Sequence, residues 1–276
     1  VSGVVATFRR WLPSPFLKGA LALHVIAAGV VAWHPSLWPP ALAVLIALHL
    51  VLSTVGLDPR GSLLGPNITR LPVAAAARGE IAITIDDGPD PAVTPRVLEV
   101  LAAHGARATF FCIGDRVAAH PNLAREIIRQ GHSIENHSAH HRYHFSTFGP
   151  RRLAAEVDGA QQVIERVTGV RPLFFRAPAG LRNPLLQPVL AASGVRLASW
   201  TRRGFDTVSG DPARVSSRLC RGLGAGDILL LHDGRAATAP SGVPVILEVL
   251  PSLLEALAAA GLRPVTLAQA FALERG

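Results

Sequence analysis

The chain has 276 residues, 49% of them hydrophobic, with mean hydropathy +0.34 and a formal net charge of +8. The apolar excess is larger than an ordinary soluble domain carries and points to membrane contact. Aromatic residues make up 5% and no basic stripe is interleaved with them, which argues against a nucleic-acid partner; the positive charge, nearly all arginine with Lys18 the single lysine, suits an anionic lipid surface or a lipid phosphate better.

The chain contains no methionine, so Val1 is either a literal reading of a non-ATG start or the edge of a trimmed chain. A short basic stretch with Arg9 and Arg10 comes first. Two apolar runs follow, at about 16–33 and 41–57, separated by His34-Pro35-Ser36-Leu37-Trp38-Pro39-Pro40. Each run is near the lower length limit for crossing a bilayer, and together they read as a helical hairpin. Arg9, Arg10 and Lys18 precede the loop and Arg60, Arg70 and Arg78 follow the second run, while the loop itself holds no Lys or Arg. The positive-inside rule then puts both ends on the cytoplasmic face of a bacterial inner membrane. A cleaved signal peptide, a single signal anchor that exports the rest of the chain, or buried helices of a soluble protein are the competing readings.

The expected organisation is a hairpin over 1–57, a linker rich in Gly, Pro and Ala over 58–79, and an α/β domain over 80–276. In that domain strand patterns fall at Ile81–Ile85, Ala108–Ile113, Ser133–Glu135, Leu173–Arg176, Arg196–Trp200, Ile228–Leu231 and Arg263–Val265. Thr94-Pro95, Asn183-Pro184 and Asp211-Pro212 pair a capping side chain with proline at the first helical position. Thr266 with Gln269 reads as a capping box. Repeated βα units imply a parallel sheet, open or closed. Cys112 lies in an apolar run and reads as a buried thiol; with Cys220 far away, no disulfide framework is indicated.

The first of these strands stops at Asp86-Asp87-Gly88-Pro89. Adjacent residues on an extended chain point to opposite sides, so one carboxylate can reach a metal while the other stays beside it. A solvated turn is the bland alternative. Residues 132–144 hold five histidines, and the spacing of His137 and His141 puts two imidazoles on one helical face or together in a tight loop. With a carboxylate they make a three-ligand site with an open position. Arg176 ends another strand, where it can hold the second carboxylate ionised, or form a purely structural ion pair. His232 closes the buried run Ile228–Leu231, with Asp206 available to orient it as a general acid.

In these residues the chain resembles a polysaccharide deacetylase of the NodB-homology type, carbohydrate esterase family 4, from about Glu80 onward. Thr84-Ile85-Asp86-Asp87-Gly88-Pro89 is similar to T-F-D-D-G-P, and His137-Ser138-Ala139-His140-His141 to H-S/T-x-x-H. Arg176-Ala177-Pro178-Ala179-Gly180 resembles R-x-P-Y-G, the segment from Trp200 to Asp206 the one that supplies an aspartate, and Leu229-Leu230-Leu231-His232 resembles L-x-L-H. The resemblance implies a distorted, incomplete (β/α) barrel and removal of N-acetyl groups from a sugar by metal-activated water. It implies that Asp87, His137 and His141 bind a divalent metal, zinc first among candidates. It makes Asp86 the base, His232 the acid, the Ala179 N–H an oxyanion donor, and Arg176 and Asp206 their supports. Two departures stand out. The family usually has an aromatic residue at Ala179 and often a tryptophan at Thr207, and both normally wall the sugar subsite. An open pocket favours a wider or lipid-linked glycan over a polymer such as chitin or peptidoglycan. The alternatives are a deformylase acting on a lipid-linked aminosugar and an inactive, membrane-anchored carbohydrate-binding scaffold.

Overall fold

The computed structural model describes residues 11–272, so Val1, Arg9 and Arg10 lie outside the described residues. Its strands are β1 (Glu80–Asp86), β2 (Ala108–Cys112), β3 (Ser133–Asn136), β4 (Phe174–Phe175), β5 (Arg196–Leu197), β6 (Arg202–Arg203), β7 (Ile228–His232) and β8 (Arg263–Pro264). They pair in parallel in the order β5-β4-β3-β2-β1-β7-β6, with β8 beside the start of β1. With helices between successive strands except β5 and β6, this is the incomplete (β/α) barrel that the resemblance implied.

The barrel has two apolar layers, and strand periodicity sorts residues between them. Ile81, Ile83 and Ile85 of β1 join Phe110, Leu229 and Leu231 against the surrounding helices. The alternate residues, Ala82 with Phe111, Phe174, Leu230 and Trp200, fill the interior. Thr84 and Asp86 share the parity of Ala82, and His232 that of Leu230. The same alternation that builds the core therefore aims Asp86 and His232 inward at the carboxyl end of the sheet. The register places them directly opposite each other.

Several boundaries differ from the sequence expectation. Residues Ala198 and Ser199 do not extend β5, because their neighbour is the bridge partner Ile68. Strand β6 escaped notice because two arginines carry no apolar alternation; it is set by pairing with Leu229 and Leu230. The expected helix start at Asn183-Pro184 is a turn, with the helix beginning at Leu186. Thr94 opens its helix, but Asp90 accepts from the Ala92 and Val93 N–H groups there, while the Thr94 hydroxyl reaches Asp233. Asp211 caps the helix Pro212–Cys220 as expected, and the Thr266–Gln269 box forms in both directions.

The two apolar runs form helices α1 (Pro15–Trp33) and α2 (Trp38–Gly56) around a single 3₁₀ turn, Pro35–Leu37. Helix α2 starts earlier than expected because Pro39 and Pro40 sit in its first turn, where an N–H has no intrahelical partner anyway. Each helix is long and apolar enough to cross a membrane, and 11% of each apolar window is buried.

The stretch over 58–79 is not a free linker. Ile68 N–H donates to Leu197 O, Ser199 N–H to Ile68 O, and Leu71 N–H to Gly226 O. The segment thus lies as a strap between β5 and the start of β7, across the opening of the incomplete barrel, with Leu64, Leu71 and Ala75 buried. We expect Leu64→Ala, at a site 1% exposed, to cost about 2–5 kcal/mol in reversible unfolding. A strap that was only a tether would leave the transition unmoved.

Candidate active site

Asp86 ends β1 and is held by Arg176, the most deeply buried arginine among the described residues. Arg176 donates from Nη1 to Asp86 Oδ1 at 2.6 Å and to Thr84 Oγ1 at 2.8 Å. Its remaining donors reach the carbonyls of Ala198 and Ser199, at 3.2 and 2.7 Å, and the guanidinium lies 4.0 Å from the Phe111 ring centroid. Burial pulls the guanidinium pKa down and Asp86 opposes this. Each of the three guanidinium nitrogens donates a hydrogen bond, so the ion pair is satisfied rather than stranded.

The chain turns out of β1 at Asp87, whose φ of 74° is left-handed. That turn brings its carboxylate toward two imidazoles. Asp87 Oδ1 is 3.2 Å from His141 Nε2 and 3.4 Å from His137 Nε2, and Asp86 Oδ2 is 3.8 Å from His137 Nε2. The histidines meet in a tight loop, not on a helix: Ser138 and His141 both have positive φ, and the Ser138 hydroxyl accepts from the His141 N–H. Gly88 is required next to Asp87, because a Cβ there would stand 2.6 Å from Asp233 Oδ2.

The donor chemistry fits a cation. His137 Nδ1–H donates to Arg176 O at 2.9 Å, which leaves a neutral ring's Nε2 with a lone pair facing the carboxylates. Asp87 Oδ1 is buried without a hydrogen bond. Asp87, His137 and His141 each offer one ligand atom, all within 4.8 Å of one another. Three lone-pair donors converging in a buried place repel unless a positive charge lies among them. Burial works against the Asp87 carboxylate, but His137 and His141 hold it well below the usual carboxylate range.

His232 faces Asp86 from β7. Its Nδ1–H donates to Asp206 Oδ1 at 2.9 Å, and its backbone N–H to Asp206 Oδ2 at 2.7 Å. Burial lowers the imidazole pKa, but Asp206 outweighs it and the net shift is upward. Ala179, three residues beyond Arg176, has φ 55° and is exposed. At the next residue, Pro59 of the strap and Trp200 crowd Gly180: a Cβ there would meet them at 2.6 and 2.7 Å. Strap and loop can pack this closely only around a glycine.

All eight residues named from sequence therefore stand on β1, β7 or the loops at one end of the sheet. The other histidines of the cluster do not join them. His140 turns to Glu156 at 2.9 Å, and His132 is buried against Phe110. Two neighbours were missed. Asp233 is buried, accepts from the Thr94 hydroxyl, and is pushed by burial up to about 7. Its signal was present in the repeated strand-Asp-Gly ending at Asp87-Gly88 and Asp233-Gly234. Arg235 places Nε 3.9 Å from Asp87 Oδ2 and lies over the Tyr143 ring, a pairing no local pattern announces.

This layout of carboxylate pair, imidazole pair and Asp-supported histidine on an incomplete barrel is that of a hydrolase site. A sequence profile described as polysaccharide deacetylase matches residues 74–198. The chain is 34% identical over 175 residues to a peptidoglycan-N-acetylglucosamine deacetylase of Bacillus cereus, covering 63% of this chain and 81% of the relative. It is 34% identical over 160 residues to a chitooligosaccharide deacetylase of Azorhizobium caulinodans, covering 57% and 75%. A crystal structure of a peptidoglycan N-acetylglucosamine deacetylase superposes with TM-score 0.67 at 24% identity, over 75% of this chain and 92% of that one, a likeness of fold. The chain belongs to the polysaccharide deacetylase family, the NodB-homology hydrolases of carbohydrate esterase family 4.

We expect His137→Ala, and separately His141→Ala, to lower the metal that co-purifies with the protein, read by elemental analysis. Full occupancy in both would remove them as ligands.

Proposed function

We propose that this chain is a membrane-anchored N-deacetylase that hydrolyses the acetamide of an N-acetylated sugar carried at the bilayer surface, a lipid-linked saccharide before a free polymer. The observation that carries the reading is the register that sets Asp86 opposite His232, with Asp87, His137 and His141 beside them. Asp87, His137 and His141 would hold a divalent ion, with zinc favoured by two nitrogen ligands and one oxygen. When bound, that ion supplies Lewis-acid polarisation and an acidified water.

The remaining chemistry belongs to the chain's own side chains. Asp86, kept ionised and oriented by Arg176, takes the proton of the attacking water. The Ala179 N–H donates to the oxygen that gains charge as the carbonyl becomes tetrahedral. His232, kept protonated by Asp206, delivers a proton to the departing amine so that it leaves as a neutral group. Burial of Asp86 and His232 keeps bulk water from competing for these protons.

The domain reading is a hairpin over 1–57 and a catalytic unit over 80–276, joined by the strap. The arginines after α2 and the uncharged loop at Pro35–Leu37 support cytoplasmic placement of the catalytic unit in a bacterial inner membrane. The relatives named for peptidoglycan and chitooligosaccharide support an N-acetylated sugar as the substrate class. The hairpin and the missing aromatic at Ala179 support a lipid-linked one.

Three measurements test this. Asp86→Asn is expected to lower turnover of an N-acetylated oligosaccharide by about 10²- to 10⁴-fold while retaining metal; unchanged turnover removes it as the base. His232 must be protonated to act, so activity should fall as pH rises through its raised pKa. In Asp206→Asn, which removes the group that raises it, this alkaline limb should move to lower pH. An unmoved limb assigns it elsewhere. A reporter fused to the C-terminus should read cytoplasmic, and a periplasmic signal would reverse the topology.

A further inference from the structure

The hairpin is rooted at the same end of the barrel as the candidate active site. Ser14, which caps α1, donates its hydroxyl to Leu63 O, and Arg182 N–H donates to Gly56 O at the end of α2. Arg182 also donates to Gly61 O from its guanidinium, and lies in the loop that follows Arg176 and Ala179. The root of α2 thus sits on the loop after β4, at the carboxyl ends of the strands, and the root of α1 sits on the strap next to it. Each helix has 19 residues, so the Pro35–Leu37 turn lies about 28 Å along the hairpin from its root.

The exposed apolar side chains follow the same polarity. Among the described residues after Leu63, the large exposed ones are Val73, Tyr143, Val170, Leu185, Phe205 and Val208. Four of these lie in loops that leave the carboxyl ends of β3, β4 and β6. Of these four, Tyr143 and Val208, at 85% and 81%, are the most exposed. Val170, between the helix Pro150–Thr168 and β4, and Val73, in the short helix that leads into the start of β1, are at the opposite end. Leu57 and Leu63 at the hairpin root continue the patch. Arg142, Arg151 and Arg152 are exposed on the loop and helix start after β3. Exposed apolar and aromatic groups mixed with arginines, next to a helical hairpin, match the headgroup zone of an anionic bilayer.

We infer that the rim of the active-site mouth, Tyr143, Leu185, Phe205 and Val208, is a membrane-contact surface that rests on anionic lipid headgroups, so that the site opens toward the bilayer and takes its sugar from a lipid carrier within that interface. This rests on the hairpin reading above and deepens it: an anchor alone would permit any tilt of the catalytic unit.

The full chain, with Cys220→Ser to remove its partly exposed thiol, is reconstituted in phosphatidylcholine–phosphatidylglycerol vesicles that carry headgroup nitroxides. A single environment-sensitive dye is attached at Val208→Cys, Val170→Cys or Ile26→Cys. We expect a blue shift and loss of emission at positions 26 and 208 and neither at position 170. Quenching at 26 with 208 matching 170 overturns the rim contact and leaves the hairpin standing. No quenching at 26 overturns both. A position-208 label that ignores the nitroxides but responds to a soluble chitooligosaccharide makes the rim a sugar groove and sinks the proposal. None of these readouts needs turnover, so an inactive protein would refute the deacetylase reading separately.

Discussion

A guanidinium enclosed in the barrel holds this site together. Arg176 is buried, yet each of its guanidinium nitrogens donates to oxygen: Asp86, Thr84 and the carbonyls of Ala198 and Ser199. Its own carbonyl accepts from His137. One residue therefore ties the carboxylate of β1, an imidazole after β3 and the strand end after β5. Losing the cation would leave Asp86 charged, buried and unpaired, a condition that proteins relieve by protonation or rearrangement. Either response would remove an ionised base from this place.

The second constraint is parity. Strands buried on both faces read as continuous apolar runs and give no hint of which face looks inward. Here the polar exceptions reveal it, since Thr84 and Asp86 alternate with Ile83 and Ile85. His232 belongs to the same inner set through its register with Asp86. Asp87, next in sequence, would point away on a straight strand. Its left-handed backbone turns it back toward the imidazoles. The doublet works as a pair because the strand ends between its two members.

This explains what could be read from the chain alone. Residues at strand ends were legible, because a buried apolar run that stops at an Asp, Arg or His is a local pattern. His137 and His141 were legible by spacing, although whether a helix or a loop brought them together was not. Arg235 and Asp233 were missed as site neighbours because their partners, Tyr143 with Asp87 and Thr94, lie far off in sequence. β6 and the packing of residues 58–72 were illegible for a related reason. Two arginines and a Pro- and Gly-rich stretch have no periodicity, and only tertiary pairing gives them a place.

The strap also changes where the α/β body of the protein begins. A boundary drawn at Glu80 from composition would discard Leu64, Leu71 and Ala75, along with the backbone that covers the side of the barrel between β5 and β7. Excision of the hairpin would therefore have to fall between Gly56 and Pro59, at the crossing point from α2 to the strap. A cut any later would expose interior apolar surface and unseat the Gly180 loop, and with it the backbone next to Ala179.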